Sequence, residues 1–254
     1  VKVESTHGNS SIRQEFYVVK DRSSRLTALK TLLAHHAPES AVIFCNTKKE
    51  VKEVTDELHD DGYSVIDLHG DLEQRDRTQT LVQFSNKSIS ILVATDVAAR
   101  GLDVDNLDAV INYELSRDPE VHVHRIGRTG RAGSEGVACS LYTDNEHYRV
   151  AMIDEYMDIE IEPSTLPVIN SHSPIEPTMM TIEILGGKKQ KVRAGDILGA
   201  LTGQKGIDGK AVGKINLFDM RAYVAIEKSV IKQALNKIQQ GRMKGRQFKA
   251  RILK

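Results

Sequence analysis

The chain reads as an α/β domain built on a parallel sheet, followed by a small α+β domain of βαββαβ order. Three observations predict this. Short apolar runs alternate with helix-period segments as far as Leu141. Four of the six prolines, Pro163, Pro167, Pro174 and Pro177, then fall within 15 residues rich in Ser, Asn and His, a composition that reads as an extended linker. At that point the charge reverses. Residues 1–177 hold 18 Lys/Arg against 30 Asp/Glu, a balance of −12, and residues 178–254 hold 17 against 5, a balance of +12, within a formal total of zero. The expected organisation is a first domain over 1–158, a Pro-rich linker over 159–178 and a second domain over 179–254.

In the first domain the runs Glu15–Val19, Ala41–Cys45, Ser64–Leu68, Ile91–Ala94, Ala109–Tyr113 and Val137–Leu141 read as strands. Leu26, Leu29 and Leu33, then Val51, Val54 and Leu58, then Leu81 with Phe84, recur at helical spacing between them. Near-continuous apolar strands separated by amphipathic helices imply a parallel sheet covered on both faces, with ligands at the carboxyl ends of the strands. In the second domain the expected order is strand Met180–Ile184, helix Gly195–Thr202, strands Val212–Leu217 and Ala222–Glu227, helix Ser229–Gln240 and strand Gln247–Leu253, with Asp196 as a helix cap and Gly241 ending the second helix.

Composition narrows the function classes. With 40% hydrophobic and 28% charged residues, the chain is neither disordered nor collagen-like. It contains no apolar run of the roughly 18 to 20 residues a spanning helix needs, and Val1-Lys2-Val3-Glu4 has no signal-peptide pattern. A cytoplasmic protein without a membrane partner is expected, and the non-Met first residue suggests a fragment or processed chain. Cys45 and Cys139 lie in no CxxC or Cys/His spacing, which argues against zinc and for buried free thiols. No metal is assigned to the His122/His124 pair, which lacks supporting ligands nearby in sequence.

The loops leaving the strands are unusual: Asn46-Thr47-Lys48, then His69 to Arg77, then Thr95 to Asp103, then His122 to Arg131. Each places glycine, hydroxyl or guanidinium groups where phosphate oxygens can be held. Arg125, Arg128 and Arg131, spaced by three, would share one face of a helical turn, where an anion is expected to neutralise them.

These residues resemble the second RecA-like domain of the DEAD-box RNA helicases over about residues 12–156. Ala94-Thr95-Asp96-Val97-Ala98-Ala99-Arg100-Gly101-Leu102-Asp103 and His124-Arg125-Ile126-Gly127-Arg128-Thr129-Gly130-Arg131 match that family's late motifs along their length. The resemblance implies that Arg128 and Arg131 face the ATP phosphates, Arg131 nearer to an arginine finger. It implies that Asp103 holds the ATP ribose and that His124 communicates between nucleotide and partner domain. Thr47, Gly70, Gln74, Arg77, Thr95 and Arg100 would contact the RNA backbone, independently of sequence. No G-x-x-x-x-G-K-[ST] loop is present, and Asp56-Glu57-Leu58-His59 sits in a helical pattern instead of after a strand. ATP and its Mg²⁺ would therefore be held by an N-terminal RecA-like domain absent from this chain, and the chain alone is expected to have negligible RNA-stimulated ATPase activity.

The second domain's order resembles an RNA recognition motif, in which sheet aromatics stack bases. Here Tyr223 keeps one stacking position, while Arg221 and Glu183 occupy others. Lys188, Lys189, Lys191 and Arg193 crowd the first loop, and Arg242, Lys244, Arg246, Lys249 and Arg251 follow the second helix, with Lys249 and Arg251 on one strand face. Structured RNA gripped through phosphates and a few bases fits this set. The module beginning Gly186-Gly187-Lys188-Lys189 is similar to that of the bacterial DbpA-type helicases, a likeness that implies a hairpin of 23S ribosomal RNA as target and large ribosomal subunit precursors as partners. Two other classes compete: a non-enzymatic RNA-binding or RNA chaperone protein on a RecA-like scaffold, against which Arg128, Arg131 and Asp103 speak, and a DNA motor, against which the RNA-recognition-like module speaks.

Overall fold

The computed structural model describes residues 2–4, 11–99, 106–130, 136–169 and 174–253. These divide into two compact units, one formed by residues 1–77 and 90–176 and the other by 78–89 and 177–254.

The larger unit carries a seven-stranded sheet. Its strands are β1 (Lys2–Glu4), β2 (Ser11–Val18), β3 (Ala41–Phe44), β4 (Val65–Leu68), β5 (Ile91–Ala94), β6 (Ala109–Asn112) and β7 (Gly136–Tyr142), in the order β1-β2-β7-β6-β3-β5-β4. All neighbours from β2 to β4 are parallel; β1 alone runs antiparallel, on the edge. Every residue of β3, β5, β6 and β7 is buried, as expected of a parallel sheet covered on both faces. The covering helices start where their caps lie. Asp21 opens α1 (Arg22–His36), accepting from Ser24 N at 2.8 Å while Ser24 Oγ accepts from Asp21 N at 2.8 Å. Thr47 opens α2 (Lys48–Asp60) by accepting from Glu50 N, and Val51, Val54 and Leu58 turn inward. Next come α3 (Gln74–Ser85), which belongs to this unit only as far as Arg77 and to the smaller unit from Thr78, then the single turn α4 (Asp96–Ala99), α5 (Pro119–Ile126) and α6 (His147–Met157). Asp56 to His59 lie within α2, as the apolar spacing implies.

The smaller unit has β8 (Met179–Ile184), α7 (Ala194–Thr202), β9 (Val212–Leu217), β10 (Ala222–Glu227), α8 (Ile231–Gln240) and β11 (Ala250–Ile252), with an antiparallel sheet in the order β11-β8-β10-β9. Ile182, Ile184, Val224 and Ile226 of the sheet pack with Ile197 and Leu201 of α7 and Ala234 and Ile238 of α8. Two expectations shift. Arg193, not Asp196, is the N-cap of α7: Asp196 reaches back from inside the helix to accept from Arg193 N at 2.9 Å. The last strand is only three residues long, and ahead of it Met243 and Arg246 pair across a tight turn with Lys244 and Gly245 at φ 53° and 73°. No described helix is long and apolar enough to cross a membrane, and Cys45 and Cys139 are buried free thiols.

Candidate nucleotide-facing and nucleic-acid sites

The parallel topology delivers the ends of β3, β5 and β6 side by side, and one side chain ties them together. Arg125, 2% exposed, donates from Nε and an Nη to the two carboxylate oxygens of Asp96 at 2.6 and 2.7 Å. Its remaining N–H groups reach Asn46 Oδ1 at 3.2 Å, Asn112 Oδ1 at 3.1 Å and the Glu114 carbonyl at 2.7 Å, and its guanidinium lies 5.0 Å from the Phe44 ring centre. The fork is thus saturated from inside the protein, with the half-buried Asp96 as its charged partner and neutral acceptors completing its shell. The anion expected beside Arg125 is Asp96 of the same chain.

The shared helical face for the three arginines is not observed. α5 ends at Ile126, with Gly127 as its cap, so Arg128 lies in the turn beyond it, its carbonyl accepting from Leu107 N at 3.1 Å. Arg131 lies outside the described residues, as do Asp103 and Arg100. Arg128 nevertheless lines a cavity of about 240 Å³ together with Phe44, Asp96, Ala99, Val121, His124 and Arg125. His124 is exposed there, whereas His122 is buried and points the other way, stacking on Phe16 with ring centres 5.8 Å apart and Nε2 at 3.2 Å from Gln14 Oε1. Burial, reinforced by Arg125, lowers the His122 pKa to about 3, which keeps that ring neutral. The turn is held by a close approach: a Cβ on Gly136 would sit 1.9 Å from Thr129 Oγ1 and 2.5 Å from Gly130 N, and Thr129 Oγ1 donates to the Leu107 carbonyl.

Of the expected RNA-backbone residues, Thr47 follows β3, Thr95 follows β5, and Gly70, Gln74 and Arg77 follow β4, three neighbouring strands in the sheet. Thr47 is exposed and caps α2, Gly70 and Gln74 are exposed after β4, and Thr95 is buried at the end of β5. Arg77 donates to the Ala98 carbonyl at 2.5 Å, joining the start of α3 to α4. Val97, 74% exposed, projects from α4 beside them.

In the smaller unit the basic residues separate into two groups. Lys188, Lys191, Arg193 and Lys244 line one cavity of about 420 Å³ with Val192. Gly187 makes that loop possible: a Cβ there would lie 2.1 Å from the Phe218 carbonyl, and Lys188 N and Lys189 N donate to the carbonyls of Phe218 and Asp219 at 2.9 Å. Asp196 tempers this cluster through Lys244 Nζ at 3.3 Å, and Lys189 pairs with Asp219 at 3.5 Å. Arg242, Arg246 and Lys249 are exposed. Arg221 and Arg251 turn instead to the sheet, both bonded to Glu183, which has no exposed surface; Arg251 Nε donates to Oε2 at 2.7 Å. Tyr223, directly opposite Glu183 in the register, is 2% exposed and donates to Glu183 Oε1 at 3.5 Å. Burial raises the Glu183 carboxyl, but the bonds and charges of Arg251 and Arg221 outweigh it and hold the pKa below the usual value. Sequence reasoning singled out neither the Arg125 hub nor the Glu183 network. A signal for the first existed: His122, Arg125 and Ile126 are the inward positions of α5.

The parallel-sheet domain and the four-stranded basic module place the chain in a class by family match, a helicase C-terminal domain followed by an RNA-binding domain. Residues 24–133 match the helicase conserved C-terminal domain, and residues 181–252 match the DbpA RNA binding domain. The chain belongs to the DEAD-box helicase family, in its DbpA branch. It is 47% identical over 254 residues, all of its length, to the ATP-dependent RNA helicase DbpA of Escherichia coli K12, and 36% identical over 248 residues to that of Bacillus subtilis 168, covering 89% of this chain. It spans about half the length of these curated relatives, 55% and 52%. The E. coli DEAD-box protein SrmB, solved bound to regulator of ribonuclease activity A, superposes with a TM-score of 0.56 at 30% identity, over 65% of this chain and 97% of that one.

Proposed function

We propose that this chain is the RNA-targeting half of an ATP-dependent RNA helicase whose nucleotide is held chiefly by another RecA-like domain. The observation that carries this reading is the cavity where Arg125, saturated by the chain's own acceptors, fixes a helix end that brings His124 and Arg128 to the edge formed by Phe44, Asp96 and Ala99. Arg128, with Arg131 of the following segment as arginine finger and Asp103 toward the ribose, would neutralise charge on ATP as it is cleaved, an effect of roughly 10³ to 10⁵ in rate. ATP and Mg²⁺ would be gripped from the facing domain, and domain closure would complete both the hydrolytic site and a groove for the RNA backbone over Thr47, Gly70, Gln74, Arg77, Thr95 and Arg100. The basic module would anchor the enzyme on structured RNA, a 23S ribosomal RNA hairpin in large-subunit precursors being the target its family likeness favours, in the cytoplasm. The reverse reading, an RNA-binding or chaperone protein without turnover, gives the Arg128 turn no nucleotide to face.

In the complete enzyme, Arg128→Ala and Arg131→Ala are each expected to cut RNA-stimulated ATP turnover at least a hundredfold while changing RNA affinity severalfold at most. Equal losses in both would assign these arginines to the RNA backbone. Robust RNA-stimulated ATPase activity by the 254-residue chain alone would refute the division of labour.

A further inference from the structure

Three chemically different side chains far apart in sequence meet on one face of the large sheet. Glu15 of β2 and Cys139 of β7 are directly opposite each other in the parallel register. His36, the last residue of α1, is brought over them as the chain leaves the helix through Ala37 in the left-handed region, φ 44°. Their ligand-type atoms form a triangle: Cys139 Sγ to His36 Nε2 is 3.6 Å, Cys139 Sγ to Glu15 Oε2 is 3.7 Å, and His36 Nε2 to Glu15 Oε2 is 3.4 Å.

That triangle has the dimensions of one face of a zinc tetrahedron. With Zn–S of about 2.3 Å, Zn–N and Zn–O of about 2.0 Å and tetrahedral angles, the ligand atoms stand about 3.5 Å apart for the two pairs with sulfur and about 3.3 Å for nitrogen to oxygen. The surroundings also suit an ion. Arg13 Nε holds the other carboxylate oxygen of Glu15 at 3.1 Å, and the Tyr17 hydroxyl donates to Oε2 at 2.7 Å, which orients the carboxylate as outer partners of metal ligands do. Cys139 is fully buried, while the His36 and Glu15 side chains keep 10% and 20% exposure on the solvent side of the cluster.

We infer that Glu15, His36 and Cys139 form a site for a zinc-class divalent ion that fastens strand β2 and the end of α1 to β7. On binding, the Cys139 thiol gives its proton to solvent and the thiolate and carboxylate balance the ion's two charges. The site lies outside the cavity assigned to the nucleotide and stands or falls independently of the helicase reading. Local spacing argued against zinc because none of the three residues is within 20 positions of another.

The test is a titration of the metal-free, reduced 254-residue chain with Zn²⁺ against a chromophoric chelator, and with Co²⁺ by absorption. One equivalent of metal is expected, with cobalt–thiolate charge-transfer absorption that vanishes in Cys139→Ser and persists in Cys45→Ser. His36→Asn and Glu15→Gln are expected to weaken binding at least about a hundredfold, beyond what loss of an outer partner costs. Should Cys139→Ser fail to fold, Glu15→Gln on the open side supplies the same test, its melting curve confirming a folded chain. Absence of the thiolate band in the wild-type chain, its survival in folded Cys139→Ser, or unchanged affinity in His36→Asn or Glu15→Gln would overturn the assignment.

Discussion

The two units bury charge in opposite ways. In the parallel-sheet unit the buried group is a cation, Arg125, enclosed by a carboxylate and neutral acceptors. In the antiparallel unit it is an anion, Glu183, flanked by Arg221 and Arg251, of which Arg251 keeps 57% of its side chain exposed. An arginine's place in a motif therefore does not say how the fold holds it. Arg125 and Arg128 lie three residues apart in one motif, yet Arg125 is enclosed inside α5 by five bonds to the protein while Arg128 sits in the turn beyond the helix and lines the cavity. Arg251 and Lys244 belong to one basic stretch, yet one faces a buried carboxylate and the other lines an exposed cavity.

The comparison breaks most readily at Arg125. Arg125→Ala leaves the partly exposed Asp96 without its partner and three neutral acceptors unmet, and should cost about 2 to 4 kcal/mol in urea unfolding, more than Arg128→Ala in the turn beyond the helix. Comparable losses would erase the distinction drawn between them. Glu183→Gln should cost less, about 1 to 3 kcal/mol, because its arginines can turn toward water once the carboxylate is neutral.

A third measurement sharpens the picture of α5 through pH. The folded pKa of His122 is depressed to about 3 against an ordinary 6.5, so the unfolded chain binds the proton first as pH falls. The stability supplied by the neutral ring is complete above pH 6.5 and declines as pH drops from there toward 3, by about 2 kcal/mol between pH 7 and 5. His122→Gln should remove that part of the acid sensitivity, seen as a flatter profile of unfolding free energy over the same range. The smallest effect on the fold is expected in the basic cavity. Lys191→Ala or Lys244→Ala should move stability within about 0.5 kcal/mol, yet each should lower the slope of log affinity for structured RNA against log salt by about 0.7 to 0.9 if it meets a phosphate. An unchanged slope would place the RNA elsewhere on this unit.

Much of this was readable before any coordinates. The strands β3, β5 and β6 stand out as apolar runs because both sheet faces are covered, and α2 shows its buried stripe at Val51, Val54 and Leu58. The βαββαβ order was legible for the same reason. The end of α5 was not, since Arg125, Arg128 and Arg131 continue a helical spacing past Gly127 and only the Leu107–Arg128 hydrogen bond shows the backbone leaving the helix. Nor was the fate of Tyr223, whose side of β10 the alternation gives but whose burial depends on distant residues, Glu183 of β8, Val82 of α3 and Leu253.

By itself the sequence determined the order of elements, the change from an acidic to a basic region and the family motifs, all of which are written in neighbouring residues through helical and strand periodicity, turn chemistry and charge. Which arginines are spent on buried carboxylates, which lysines share a cavity, and that Glu15, His36 and Cys139 meet at all were decided only by the tertiary structure. These are contacts between residues distant along the chain, set by strand register and helix packing, and no local pattern encodes them.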